Sequence, residues 1–121
     1  MSTIRVDNLQ TTGGAGLYPA KAWAVYDQYT TQTLLDSSAV SSISDVGTGK
    51  TRVTFSNAFS NSNYCVAGIV GGGGGTTNGG GTLCFDSYPE ELPTTTHSDL
   101  NSFIASVGDR DFNYNSAIFT A

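Results

Sequence analysis

Apolar and polar residues alternate along much of this chain with the two-residue period of half-buried β-strands, and the chain reads as β from end to end. The cleanest stretch is Thr51-Arg52-Val53-Thr54-Phe55, with Val53 and Phe55 facing inward. Before it come Val40-Ser41-Ser42-Ile43 and the turn residues of 45–50, which together predict a hairpin. Upstream, Ala22-Trp23-Ala24-Val25-Tyr26 is apolar on both faces, and Thr33-Leu34-Leu35-Asp36 is a further short run. Residues 56–63 read as a loop with two apolar anchors, Ala58 and Phe59. The most apolar run follows, with Tyr64, Val66 and Val70 on one face and Cys65, Ala67 and Ile69 on the other. That pattern predicts a strand buried on both faces.

Residues 71–81 hold eight glycines in eleven positions, each costly in backbone entropy to order, and predict a loop. Two more strands are expected, at Thr82-Leu83-Cys84-Phe85 and at Ser102 to Val107, separated by a Pro-containing loop over 87–99. A closing strand is expected at Asn115 to Phe119. Short strands with turn signals every ten or so residues predict an all-β, antiparallel β-sandwich of jelly-roll-like form. The domain spans 18–121, preceded by an N-terminal arm over 1–17 in which Thr3 to Leu9 reads as a short strand on a glycine-rich tether. A lone strand is marginal in water, so the arm is expected to dock on a partner through Ile4, Val6 and Leu9. Runs that are apolar on both sides need a further packing layer, and an identical neighbour is the simplest one. Trp23, Tyr64, Val66, Ile69 and Phe103 are the expected subunit-interface residues.

Charge narrows the function. Charged residues are only 12% of the chain and the net charge is −5, so the five scattered basic residues form no patch for nucleic acid. No apolar stretch reaches the length of a membrane span, and no secretory signal opens the chain, so a soluble product of a reducing cytosol is expected. Cys65 and Cys84 lie in apolar runs and are expected as buried free thiols.

Candidate chemistry is sparse. Gly47-Thr48-Gly49-Lys50-Thr51 has the tail of a phosphate-binding loop but Ser44 where the motif needs its first glycine, and a strand rather than a helix follows. The single histidine, His97, sits in a polar stretch without partners of metal-site spacing, so neither metal nor cofactor is expected. No Gly-x-Ser-x-Gly elbow surrounds a serine, and Asp86, Glu90, Glu91, Asp109 and Asp111 read as solvated loop carboxylates, so the chain is not expected to be an enzyme. The loops carrying Asn78, Tyr88 and His97 are the candidate receptor contacts. Trp23, Tyr29 and Tyr88 are ambiguous between packing and sugar stacking.

The segments Lys21-Ala22-Trp23-Ala24-Val25-Tyr26, Val40 through Lys50, Arg52-Val53-Thr54-Phe55, Ala58 and Asn63-Tyr64 resemble, in order and spacing, a module of tailed-phage structural and fibre proteins. There an AW-V-FD segment precedes NVSSI-D-GTG-Y-V-F and then A-NY. The opening STIRVDNLQTTGG is similar to the N-termini of small virion proteins of marine and cyanobacterial phages. The resemblance implies a virion subunit made in the host cytoplasm, a homotrimeric fibre or spike anchored to other virion proteins by its arm. Its loops would touch a host glycan or protein. The alternative it leaves is a capsid or tail cement protein with no host contact.

Overall fold

Side chains at alternate positions of Ala22–Asp27 (β1) face inward as Ala22, Ala24 and Tyr26, while Trp23 and Val25 face the other way and are half-buried. The same alternation builds Lys50–Phe55 (β4), whose Thr51, Val53 and Phe55 are buried, and Tyr114–Thr120 (β9), whose Asn115, Ala117 and Phe119 are buried. The other strands are Thr33–Ser38 (β2), Val40–Gly47 (β3), Cys65–Gly71 (β5), Gly80–Phe85 (β6), His97–Ile104 (β7) and the two-residue Gly108–Asp109 (β8). The computed structural model describes residues 2–3, 5, 12–13, 20–29, 31–72, 80–85, 92–105 and 107–120, and among these there is no helix.

All the strands pair antiparallel, in the order β2-β1-β9-β5-β6-β7-β4-β3, with β8 clipped onto β7. The sheet folds into two leaves, β2-β1-β9-β5 and β6-β7-β4-β3, giving a nearly closed, barrel-like sandwich. At one corner the leaves share only the pairs Val70 with Gly81 and Gly71 with Gly80. At the other, the chain turns from β2 into β3 at Ala39, whose φ of 57° is unusual for a residue with a side chain. The hairpins β1–β2 and β3–β4 each stay within one leaf. The chain changes leaf between β2 and β3, β4 and β5, β5 and β6 and again before β9, which is consistent with the antiparallel sandwich expected.

An aromatic cluster fills one end of the core. Phe55 stacks on Phe59 with centroids 4.3 Å apart, and Tyr64 and Phe119 meet Phe55 edge-on. Each such buried ring contributes on the order of 2 kcal/mol. The Tyr64 hydroxyl donates toward the carbonyls of Thr94 (2.9 Å) and His97 (3.1 Å), fastening the loop before β5 to the start of β7. Burial raises the Tyr64 hydroxyl above its ordinary pKa. The hairpin β3–β4 turns on Gly49, whose φ is +71° and whose missing side chain leaves room for the carbonyl of Ser102 and the backbone of Arg110. Its N–H donates to Asp111 Oδ1 at 2.7 Å, and its carbonyl accepts from Ser102 N–H at the same distance. The glycine of this GTG turn is therefore a packing requirement, and the turn expected from the sequence is the one formed.

Three expectations change. The strand placed at Ser102 to Val107 begins five residues earlier, at His97, because Ser98 and Asp99 are buried polar residues where a loop was expected. The ends of the glycine tract, Gly71, Gly80 and Gly81, belong to strands. A side chain at Gly81 would collide with the Phe112 ring, so that glycine makes way for an aromatic residue. Cys65 is a free thiol that is exposed rather than buried, because it lies on the outward face of β5, and Cys84 is half-buried.

Candidate interaction surface

Registration across β1, β9 and β5 places outward side chains in level rows. Trp23, Ile118 and Ala67 form one row, and Val25, Ser116 and Ile69 form the next. Beyond them lie Tyr114 opposite Gly71 at one end and Thr120 opposite Cys65 at the other. Ile69 is 75% exposed, Tyr114 64% and Ile118 47%, although the inward faces of the same strands carry much of the core. A depression of about 310 Å³ lies on this face, lined by Trp23, Ala24, Val25, Ser116, Ala117 and Ile118. Neither β9 nor β5 presents a charged side chain there. Charges stand only along β1 and β2, as exposed Lys21 just before β1, Asp27 at its end, and Asp36 opposite Val25.

The outer face of the second leaf is chemically different. Arg52 grips the buried Asp99 with two parallel hydrogen bonds, Nε to Oδ1 and a terminal nitrogen to Oδ2, both 2.8 Å. Asn101 donates to Asp109 at 3.0 Å across β7 and β8. This leaf is pinned by charge-assisted bonds, while the first presents hydrocarbon.

Between the leaves, at the end opposite the aromatic cluster, lies a buried polar network. Gln28 Nε2 donates to Thr51 Oγ1 (2.8 Å), and Gln28 Oε1 accepts from Ser102 Oγ (2.9 Å) and Phe112 N–H (3.3 Å). Asn115 Nδ2 donates to the carbonyls of Tyr26 (3.1 Å) and Phe112 (2.9 Å). The Tyr26 hydroxyl is fully enclosed beside Thr51; burial raises its pKa strongly, and the Thr51 hydroxyl partly offsets that. Every hydrogen bond in this network joins parts of the fold.

The expected interface residues separate onto different faces. Trp23 and Ile69 lie on the apolar outer face as neighbours one row apart. Tyr64 points into the core at 6% exposure, and Val66 packs against it, since both share the inward phase of β5. Phe103 is half-buried on the second leaf, opposite Thr82 and Asp109. The face expected to be buried on β5 is thus open in a single chain, while Tyr114 and Ile118, not anticipated as interface residues, complete it. Their signal was available in the same alternation, since Asn115, Ala117 and Phe119 facing inward leaves 114, 116 and 118 outside.

His97 is the first residue of β7 rather than part of a loop, and its ring Nδ1 lies 3.2 Å from Thr94 Oγ1. Its N–H donates to that same oxygen at 3.0 Å, so Thr94 and His97 close a local turn. Ile4, Val6, Leu9, Asn78 and Tyr88 lie outside the described residues. Among the described residues no three His, Cys, Asp or Glu side chains converge as a metal site. No protein-family model matches the chain, and neither does a curated protein or a solved structure.

Proposed function

We propose that the chain is a non-enzymatic structural subunit of a bacteriophage particle, a fibre or spike component that works as a homo-oligomer of the three copies its sequence resemblance implies. The observation that carries this reading is the uncharged face of β9 and β5, with Ile69, Tyr114 and Ile118 open to solvent on a domain whose core is already complete. Contiguous apolar surface on that scale marks protein–protein contact. The resemblance over Lys21 to Tyr64 supplies the context, because it follows the order and spacing of a virion module. The N-terminal arm attaches the subunit to neighbouring virion proteins through Ile4, Val6 and Leu9, and the β-domain projects. Loops then meet a host glycan or protein, with many weak contacts on one particle giving avidity.

Deleting residues 1–16 tests the reading. The expected outcome is a β-domain that still unfolds cooperatively on heating while the protein vanishes from purified particles by mass spectrometry. Retention in particles at the wild-type copy number would remove the arm from the proposal, and absence of the full-length chain from particles would remove the virion role itself.

A further inference from the structure

The apolar face carries a symmetry that its composition alone does not reveal. Ala24, Ala117 and Gly68 stand level with one another across β1, β9 and β5 and mark the middle of the face. Outward residues lie in matched steps on either side of that line. One step away, Trp23 has Val25 as its counterpart, Ile118 has Ser116 and Ala67 has Ile69. Three steps away, Thr120 has Tyr114 and Cys65 has Gly71. Continuing the same register, Lys21 has Asp27; Lys21 N–H extends the ladder by donating to the Phe119 carbonyl at 2.8 Å. In every pair but the last, a larger side chain is matched by a smaller one, and in the last a cation is matched by an anion.

We infer that this face binds the same face of a second copy of the chain about a two-fold axis lying along the line of Ala24, Ala117 and Gly68. Such a rotation lays each strand over its own counterpart with the direction reversed, so position 23 meets 25, 118 meets 116 and 69 meets 67. Large residues then sit over small ones across the interface, as interdigitating sheet faces require, with the leaves aligned to within about 30°. Lys21 of each copy comes over Asp27 of the other, so the charges at the two ends of β1 are neutralised while the uncharged middle of β1, β9 and β5 is dried, and Asp36 on the β2 edge comes over Ser38 of the other copy. A partner with an unrelated surface would need to supply both the alternation of sizes and the reversed charges; a second copy supplies both by symmetry. The patch is roughly 15 Å wide and 20 Å long from strand spacing and rise. That is about 300 Å² per partner, below the roughly 800 Å² of a standard specific interface, so the association is weak and reversible.

This contact rests on the same face that carries the proposed oligomer and assigns that face a two-fold, so three-fold contacts of a particle component lie elsewhere on the domain and two such rings join back to back. Sedimentation velocity of the full chain across the micromolar range tests it, together with emission from the sole tryptophan, Trp23, which lies on the face. The expected result is a concentration-dependent rise to a dimer or hexamer, with Trp23 emission moving to the blue over the same range. Ile69→Asp, at a site 75% exposed in the single chain, is expected to abolish both signals without lowering the unfolding temperature of the monomer. Lys21→Glu and Asp27→Lys are each expected to weaken association about fivefold, and the double variant to restore it, since an exposed pair is worth up to about 1 kcal/mol. A monomer at every concentration, a trimer indifferent to Ile69→Asp, or a double variant as weak as the singles would each overturn the inference. The first two outcomes leave arm-dependent incorporation into particles untouched.

Discussion

At Gly68 a side chain has nowhere to go. A Cβ built there would run into the Ser116 carbonyl and come within 2.5 Å of Leu83 Cδ2, with the Ala117 backbone 3.3 Å away. Leu83 belongs to the opposite leaf, so the two leaves meet in the core against this glycine. Leu83 could swing aside, but the carbonyl is held in the ladder between β5 and β9. Gly68→Ala is therefore expected to cost about 2 kcal/mol, the usual penalty for overpacking. Thermal unfolding checks it, with a fall in midpoint of roughly 10 °C expected for a domain of this size. Gly68 looks like a weakness in the sequence, a residue with no side chain to pack inside an apolar run. Its role depends on a contact between residues fifteen apart in the chain, which only the fold reveals. Gly49 was more legible, because a glycine after Gly47-Thr48 between two strands already asks for a tight turn.

At the scale of the element, the strands that could be read directly were those with one wet face and one dry one. The alternation of Thr51, Val53 and Phe55 in β4 and of Asn115, Ala117 and Phe119 in β9 appears in the structure as expected. β7 was shortened because its first buried positions, Ser98 and Asp99, are polar, and local pattern reads polarity as exposure. Their burial is licensed by neighbours on another strand: the Arg52 grip holds the Asp99 carboxylate. β5 failed in the opposite sense, since apolar residues on both faces read as burial on both, whereas one face is open to solvent in the single chain. Ser102, Thr51 and Asn115 illustrate the same limit in the polar network, where Gln28 bridges the two leaves. Gln28→Leu would leave the Phe112 N–H without its acceptor, while Thr51 Oγ1 keeps the bond from Gln32 Nε2 (2.6 Å) and Ser102 Oγ keeps the Gly49 carbonyl (3.2 Å), so a cost of about 2 kcal/mol is expected, chiefly from one orphaned buried group. Urea unfolding measures this directly. Thr51→Val is expected to cost less on top of Gln28→Leu than it does alone, because the bond between Gln28 and Thr51 is then already lost, and strict additivity of the two changes would argue against a coupled network.

For the whole molecule, the decisive feature is the position of β9, the last strand in the chain and an inner strand of its leaf. It pairs with β1 on one side, Trp23 level with Ile118, and with β5 on the other, Val66 level with Phe119. The first leaf therefore cannot close until nearly the entire domain has been brought together, and such non-local pairing places folding in the millisecond-to-second range. Local alternation identified the strands but held no information on this order, since each strand offers two edges and the pairing of 22–26 with 115–119 is invisible to any short window. The consequence is an asymmetry between the two ends of the chain. Removing residues 113–121 would strip β1 and β5 of their shared neighbour, expose Ala22, Ala24 and Val66 to water, and take Phe119 out of the aromatic cluster. No other described strand is placed to substitute, because β2 already occupies the far edge of β1 and β6 touches β5 at only two residue pairs. The truncated chain is thus expected to lose cooperative unfolding altogether, with Trp23 emission at the wavelength of a water-exposed indole and rapid proteolysis throughout. Removal of the first sixteen residues, in contrast, leaves every pairing among the described strands in place. A cooperatively folded chain ending at Phe112 would mean that β1 and β5 can pair without β9, and that the order of strands in this leaf is not what holds it together.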